Sequence, residues 1–186
     1  PLDMRMDRRQ AMTAADVVNG YDERSLVRLL VDYADERYAR RIARAVVAAR
    51  PVSDTSHLAE VVRDAIPAAT RRRGGHPAKR TFQAIRIEVN AELDQLGDAL
   101  DEAVRRLVPT GRGAVLSYHS GEDRIVKHCF DWAATGGCSC PRLLPCTCGA
   151  TPLVVLPRRA GRVPSEDEAR DNPRAASARL RVLERR

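Results

Sequence analysis

Between Phe82 and Leu107 the apolar residues fall at alternating three- and four-residue steps: Phe82, Ile85, Val89, Leu93, Leu96, Leu100, Val104 and Leu107. That period sets all of them on one stripe of a single long helix. Such a stripe must be buried along its length, so the rest of the chain has to supply cover for it. Aromatic residues make up only 4% of the sequence against 44% hydrophobic residues overall. The covering core is therefore built mainly of Ala, Leu, Val and Ile, a composition that favours closely packed helices over an all-β sandwich.

Ahead of the stripe, several short amphipathic helices are predicted. Thr13 to Asp16 forms a capping-box start, and Asn19-Gly20 a stop. Asp22 caps a helix carrying Leu26, Leu29, Leu30 and Tyr33; Asp35 caps one carrying Tyr38, Ile42, Val46 and Val47. Thr55 or Ser56 starts another, through Leu58, Val61, Val62 and Ile66. Behind the stripe, Ala114 to Tyr118 reads as a buried strand, Ser120 to Asp123 as the cap of a further helix, and Leu153 to Leu156 as a short strand. Ser165 opens a last helical turn, and Ser177 to Leu183 a final strand. These elements read as the back end of an α/β sheet. No Gly-rich strand-to-helix turn of the kind that holds a nucleotide cofactor is present.

The formal net charge is +7, almost all of the positive charge being arginine. Arginine forks suit phosphate oxygens and stack on bases, so RNA is one expected partner; a solvated basic surface is the other reading. No run of 18 apolar residues exists and no signal-peptide pattern is seen, which reads as a cytoplasmic chain without a membrane span. Oligomeric state is open, a dimer included.

Four clusters carry chemistry. Within 76–93, His76 leads into a helix on which Arg80, Gln83, Arg86 and Asn90 share a polar face able to hold a phosphate and a base edge. The same face also suits a solvated helix with intrahelical bonds. Within 117–127, His119 and Ser120 stand at the C-terminal end of a strand, where open α/β sheets bind ligands, with Arg124 and Lys127 just beyond. The alternative there is a helix cap with a structural histidine. Within 172–181, Arg179 and Arg181 share one strand face, with Arg174 upstream. Finally, Cys138, Cys140, Cys146 and Cys148 form paired C-x-C steps in one loop. Four thiolates hold tetrahedral Zn²⁺ as a structural knot, although the usual knuckle is C-x₂-C; free thiols or disulfides are the competing readings.

Five segments, in order, carry a resemblance: PLDMRMD at 1–7, TAADVVN at 13–19, HPAKRTFQAIRIEVNAEL at 76–93, SYHSGEDRIVK at 117–127 and NPRAASARLR at 172–181. Together they resemble the RsmH (MraW) methyltransferases over nearly the whole chain. The resemblance implies a class I, Rossmann-like fold that uses S-adenosylmethionine, with an inserted all-helical substrate-recognition domain. It implies methylation of a cytidine N4 in the decoding region of 16S rRNA, and the small ribosomal subunit as partner. On that scheme residues 1–12 end a methyltransferase segment, 13–75 are the insertion, and 76–186 return to the methyltransferase domain. The family's donor-binding motifs precede PLDMRMD, and the chain starts at Pro1, so the donor site is expected outside these residues and the chain alone is expected to be inactive. Gly121 stands where the family pattern has Leu. Asp3, Arg5 and Asp7 are expected nearest the target base, with Asp3, Asp7, His119 and Ser120 as catalytic candidates. Two other readings compete: an RNA-binding protein without catalysis, and a zinc-containing interaction domain.

Overall fold

The computed structural model describes residues 1–71, 76–141, 147–158 and 161–186. The chain divides into two compact units, Pro1–Glu92 and Leu93–Arg186. Each has its own hydrophobic core.

The first unit is helical: α1 (Ala14–Gly20), α2 (Glu23–Ala34), α3 (Ala39–Ala48), α4 (Thr55–Ala65), the single turn α5 (Ala68–Arg71) and α6 (Lys79–Asn90). The starts of α1, α2 and α4 follow side-chain chemistry. Thr13 and Asp16 close the expected capping box on α1, and Asp22 accepts from the Ser25 amide at 2.6 Å to start α2. Two expected caps differ. Asp35 does not start α3: it ends α2 in the left-handed conformation (φ 48°), with its amide bonded to Leu30 and Val31 carbonyls. For α4, the cap is Asp54 rather than Thr55 or Ser56, its carboxylate accepting from the His57 amide at 2.9 Å. The core joins Val17, Leu29, Ile42, Leu58, Val62 and Ile85, all at most 5% exposed.

The expected single long helix is two helices. α6 stops at Asn90, Ala91 takes φ 48°, and α7 (Glu92–Arg106) begins at once. The stripe keeps its period across the break because its two halves serve different cores. Phe82, Ile85 and Val89 pack in the first unit; Leu96, Leu100, Val104 and Leu107 pack in the second.

In the second unit β1 (Arg112–Ser117) leads into α8 (Ser120–Thr135), followed by β2 (Val154–Val155), β3 (Gly161–Arg162), α9 (Glu166–Asp171), a 3₁₀ turn (Pro173–Ser177) and β4 (Arg179–Arg185). β4 is the centre of the sheet: β1, β2 and β3 all pair with it, antiparallel. Val126, Phe130, Val154 and Leu183 close the core under α7 and α8. β1 was expected to be buried on both faces. Instead its residues alternate, Gly113 and Val115 partly covered while Leu116 is 50% exposed, which is the pattern of a strand with one covered face. Together the units form an α/β chain whose sheet, among the described residues, is wholly antiparallel. No helix of the described residues is long and apolar enough to cross a membrane.

Candidate functional site

In the first unit the N-terminal loop is stitched to the helices beneath it. The Leu2 and Asp3 carbonyls accept from the Ala15 and Ala14 amides, each at 2.8 Å, satisfying donors that the first turn of α1 leaves unpaired. Arg5 is the loop's keystone. Its Nε and Nη2 bond the two Asp3 carboxylate oxygens at 2.6 and 2.9 Å, and its Nη1 bonds the Arg8 and Gln10 carbonyls at 3.1 and 2.9 Å. Met4 sits at φ 59°, a conformation that a residue other than glycine holds only under local constraint. That constraint comes from buried Asn90 at the end of α6. Its amide nitrogen bonds the Met4 carbonyl at 2.9 Å, and its oxygen accepts from the Met6 amide at 2.8 Å. Gln10 reaches the Val89 carbonyl at 2.9 Å. The tip so presented carries Met6, 70% exposed, and Asp7.

The two acids of this loop differ. Hydrogen bonds from the Arg5 side chain, then from its backbone amide, hold the Asp3 carboxyl down at about 2. Asp7 is lowered by its hydrogen bonds from Arg9 but is exposed, and its partner Arg9 is 91% exposed. Asp3 is thus locked into the loop, and Asp7 is an accessible, ionised acceptor.

The polar face expected along α6 is divided in the same way. Exposed His76 accepts from the Ala78 amide with Nδ1 at 3.3 Å, just before the helix. Arg80 is exposed and donates to the Asp35 carbonyl at 3.1 Å; Gln83 is half-buried. Arg86 forks onto both oxygens of Glu92 at 2.8 and 2.9 Å. Arg80 therefore faces solvent, whereas Arg86 and Asn90 hold the scaffold.

In the second unit His119 is the N-cap of α8. Its Nδ1 accepts from the Glu122 amide at 3.3 Å, which leaves Nε2 as the ring's donor atom. Nε2 lies 3.3 Å from Glu122 Oε1, but out of line: this buried atom makes no hydrogen bond. Glu122 returns the favour by accepting from the Tyr118 amide at 2.7 Å. Ser120 is exposed on the first turn. Below, Arg181 of β4 forks onto Asp123 at 2.7 and 2.9 Å, both side chains being largely covered. This bond, more than any other, holds the Asp123 carboxyl below the ordinary range. Arg124, Lys127, Arg174 and Arg179 stand exposed on α8, the 3₁₀ turn and the start of β4. Gly121 is buried, and a side chain there would press on His119 and Leu93 at 3.2 to 3.3 Å.

In the loop after α8 the sulfurs of Cys138, Cys140 and Cys148 gather within 4.8 Å of one another; Cys146 lies outside the described residues.

The MraW methylase family profile matches residues 1–186. The chain belongs to that family. Its similarity extends to the ribosomal RNA small subunit methyltransferases H of Paenibacillus sp. (strain JDR-2), 51% identical, and of Frankia casuarinae, 54% identical; in both cases the whole of this chain is covered. The corresponding protein of Thermobifida fusca is 53% identical, again over the full chain. The chain spans about three fifths of the length of these relatives: 60%, 58% and 57% respectively.

Two contacts were not singled out from the sequence: that of Gln10 with Val89 in the first unit and, in the second, the fork of Arg181 on Asp123. Gln10 carries no periodic signal. Asp123 falls in a cap motif whose local chemistry hides its long-range partner Arg181.

Proposed function

We propose that this chain is the substrate-facing and C-terminal portion of an S-adenosylmethionine-dependent methyltransferase that acts on the N4 amine of a cytidine in the decoding region of 16S rRNA. The observation that carries the reading is the family match over every residue of the chain, together with relatives whose name is ribosomal RNA small subunit methyltransferase H. The class I fold with an inserted helical domain, and the cytoplasmic ribosomal setting, belong to the same reading.

The described residues do not fit a donor pocket. β1 runs into α8 through the His119 cap, without a glycine cradle, and the one glycine there, Gly121, is packed inward. On this reading the donor is held by residues other than these, and the part of this chain is to hold the RNA.

The N4 lone pair of cytosine is delocalised into the ring, so the amine is a poor nucleophile and positioning must dominate. The base has to leave its stack to be reached. Asp7 is the residue of this chain suited to accept from the N4 amine: it is exposed and stays ionised at neutral pH. Asp3, Arg5 and Asn90 act as positioning residues that shape the loop. At the strand end Ser120 is the exposed polar group, and His119 acts as a positioning residue that caps α8 beside it. Arg80, Arg124, Lys127 and Arg174 meet backbone phosphates, while Arg86 and Arg181 secure the surfaces that carry them.

The first test is calorimetry of the 186-residue chain with S-adenosylmethionine. No saturable heat is the expected result; micromolar binding would put a donor pocket inside these residues and overturn the division. In the full-length protein, methylation of 16S rRNA should fall steeply with Asp7→Asn. RNA affinity with no methylation in that protein would instead favour a non-catalytic RNA-binding role.

A further inference from the structure

We infer that Cys138, Cys140 and Cys148 bind a structural Zn²⁺ ion that acts as the core of the loop between α8 and β2. The first observation is geometric. Three sulfurs lie within 4.8 Å of one another, a grouping that small side-chain adjustments bring to the roughly 3.8 Å between corners of a tetrahedral thiolate site with Zn–S bonds of about 2.3 Å. The second concerns what else holds the loop. None of the described residues between Gly136 and Pro152 is buried. The described part of the segment contributes no buried side chain to a core, a condition in which small folds rely on a cross-link or a metal. The third concerns its two ends. The loop leaves α8 through Gly136 and Gly137, both at positive φ, and returns where the Leu153 amide bonds the Ala133 carbonyl at 2.9 Å. The Arg186 amide then bonds the Leu153 carbonyl at 3.0 Å. A metal in the loop thus braces the point where α8, β2 and the end of β4 meet.

Binding converts three thiols to thiolates and releases three protons, one from each sulfur; nothing is oxidised or reduced. The fourth tetrahedral position goes to a donor that these three residues do not supply. Its identity as sulfur, nitrogen or oxygen is what an X-ray absorption spectrum of the zinc shell would read. Cys129 takes no part. It is buried in the second core beside Asp101, and burial pushes its thiol up to about 12. This site stands whether or not the protein methylates RNA.

The test is metal analysis of the full-length protein purified without chelator. One zinc per chain is expected in the wild type and in Cys129→Ser, and none in Cys138→Ser or Cys148→Ser. Cobalt substitution should give thiolate charge-transfer and tetrahedral d–d bands. Should the serine variants misfold, mercurial titration of the wild-type protein supplies the second measurement: zinc should leave in step with thiol modification. Full metal content in Cys138→Ser, or a wild-type protein that takes up no zinc after reduction and reconstitution, overturns the inference.

Discussion

Asn90 illustrates how a single side chain can organise a functional loop from beneath. It is 9% exposed, bonds the Met4 carbonyl and the Met6 amide, and bonds the Arg86 carbonyl at 2.8 Å. Asn90→Ala strips several part-buried backbone groups of partners at once, at up to roughly 1–3 kcal/mol for each one that solvent does not reach. The expected outcome is a clear drop in urea midpoint together with loss of activity in the full-length protein; unchanged stability would show that the loop is held by other means. Asp3 makes a prediction of the opposite kind, visible only in acid. Its carboxyl titrates at about 2 when folded against an ordinary value of 3.8. The folded state therefore binds this proton less readily than the unfolded chain does. The resulting stabilisation is complete above 3.8 and is lost as the pH falls through about 2. Asp3→Asn should flatten the acid limb of a stability–pH curve in that window while leaving its shape near neutrality alone. The carbon signal of the Asp3 carboxyl, followed by NMR, checks the assignment directly.

At the scale of elements, the helix break at Ala91 is the main departure from what the sequence made legible. Periodicity reports which residues are covered but not which core covers them, so a stripe shared between two cores reads as one helix. The signal available was Asn90, a polar residue that later proves buried at the helix end. Ala91 itself is exposed and left-handed. Glycine there relieves a conformation that costs an ordinary residue about 1–2 kcal/mol, against a somewhat smaller entropic loss. Ala91→Gly should accordingly be neutral to stabilising by up to about 1 kcal/mol, and Ala91→Val destabilising, when both are compared in urea. Caps were legible where an acid or Thr directly precedes the apolar period, as at Thr13 and Asp22. At Asp35 the same residue type closes a helix instead, because Asp tolerates the left-handed conformation. β1 misled for a related reason: Val115 and Leu116 look alike in sequence, yet only one faces the core. The Asp123–Arg181 fork was out of reach altogether, since it joins α8 to β4 at positions that only tertiary packing brings together. Its worth is best read by a double-mutant cycle of Asp123→Ala and Arg181→Met, for which a coupling near 1 kcal/mol is expected.

Over the whole molecule, the net charge of +7 is compatible with RNA binding but does not say which arginines take part. The structure sorts them by what they already hold. Arg5, Arg86 and Arg181 spend their forks on Asp3, Glu92 and Asp123. Lys127 and Arg174 stand exposed with their charges toward solvent. This sorting divides the effects of substitution into two kinds. Removing an exposed cation that meets a phosphate should weaken binding evenly across RNA sequences, and lower the slope of log affinity against log salt by about 0.7 per contact on single-stranded RNA. The pair Lys127→Ala and Arg174→Ala should therefore reduce the slope by about 1.4. Removing a bracing arginine acts differently, because it disturbs the shape of the surface and leaves its charge pattern largely in place. Arg181→Met should lower stability and affinity while changing the slope by less than one contact. Filter binding of the full-length protein to a decoding-region RNA over a series of salt concentrations separates the two. Equal slopes for the wild type and the Lys127/Arg174 double variant would remove both residues from the RNA interface. A large slope change in Arg181→Met would mean that its fork leaves Asp123 for phosphate when RNA binds.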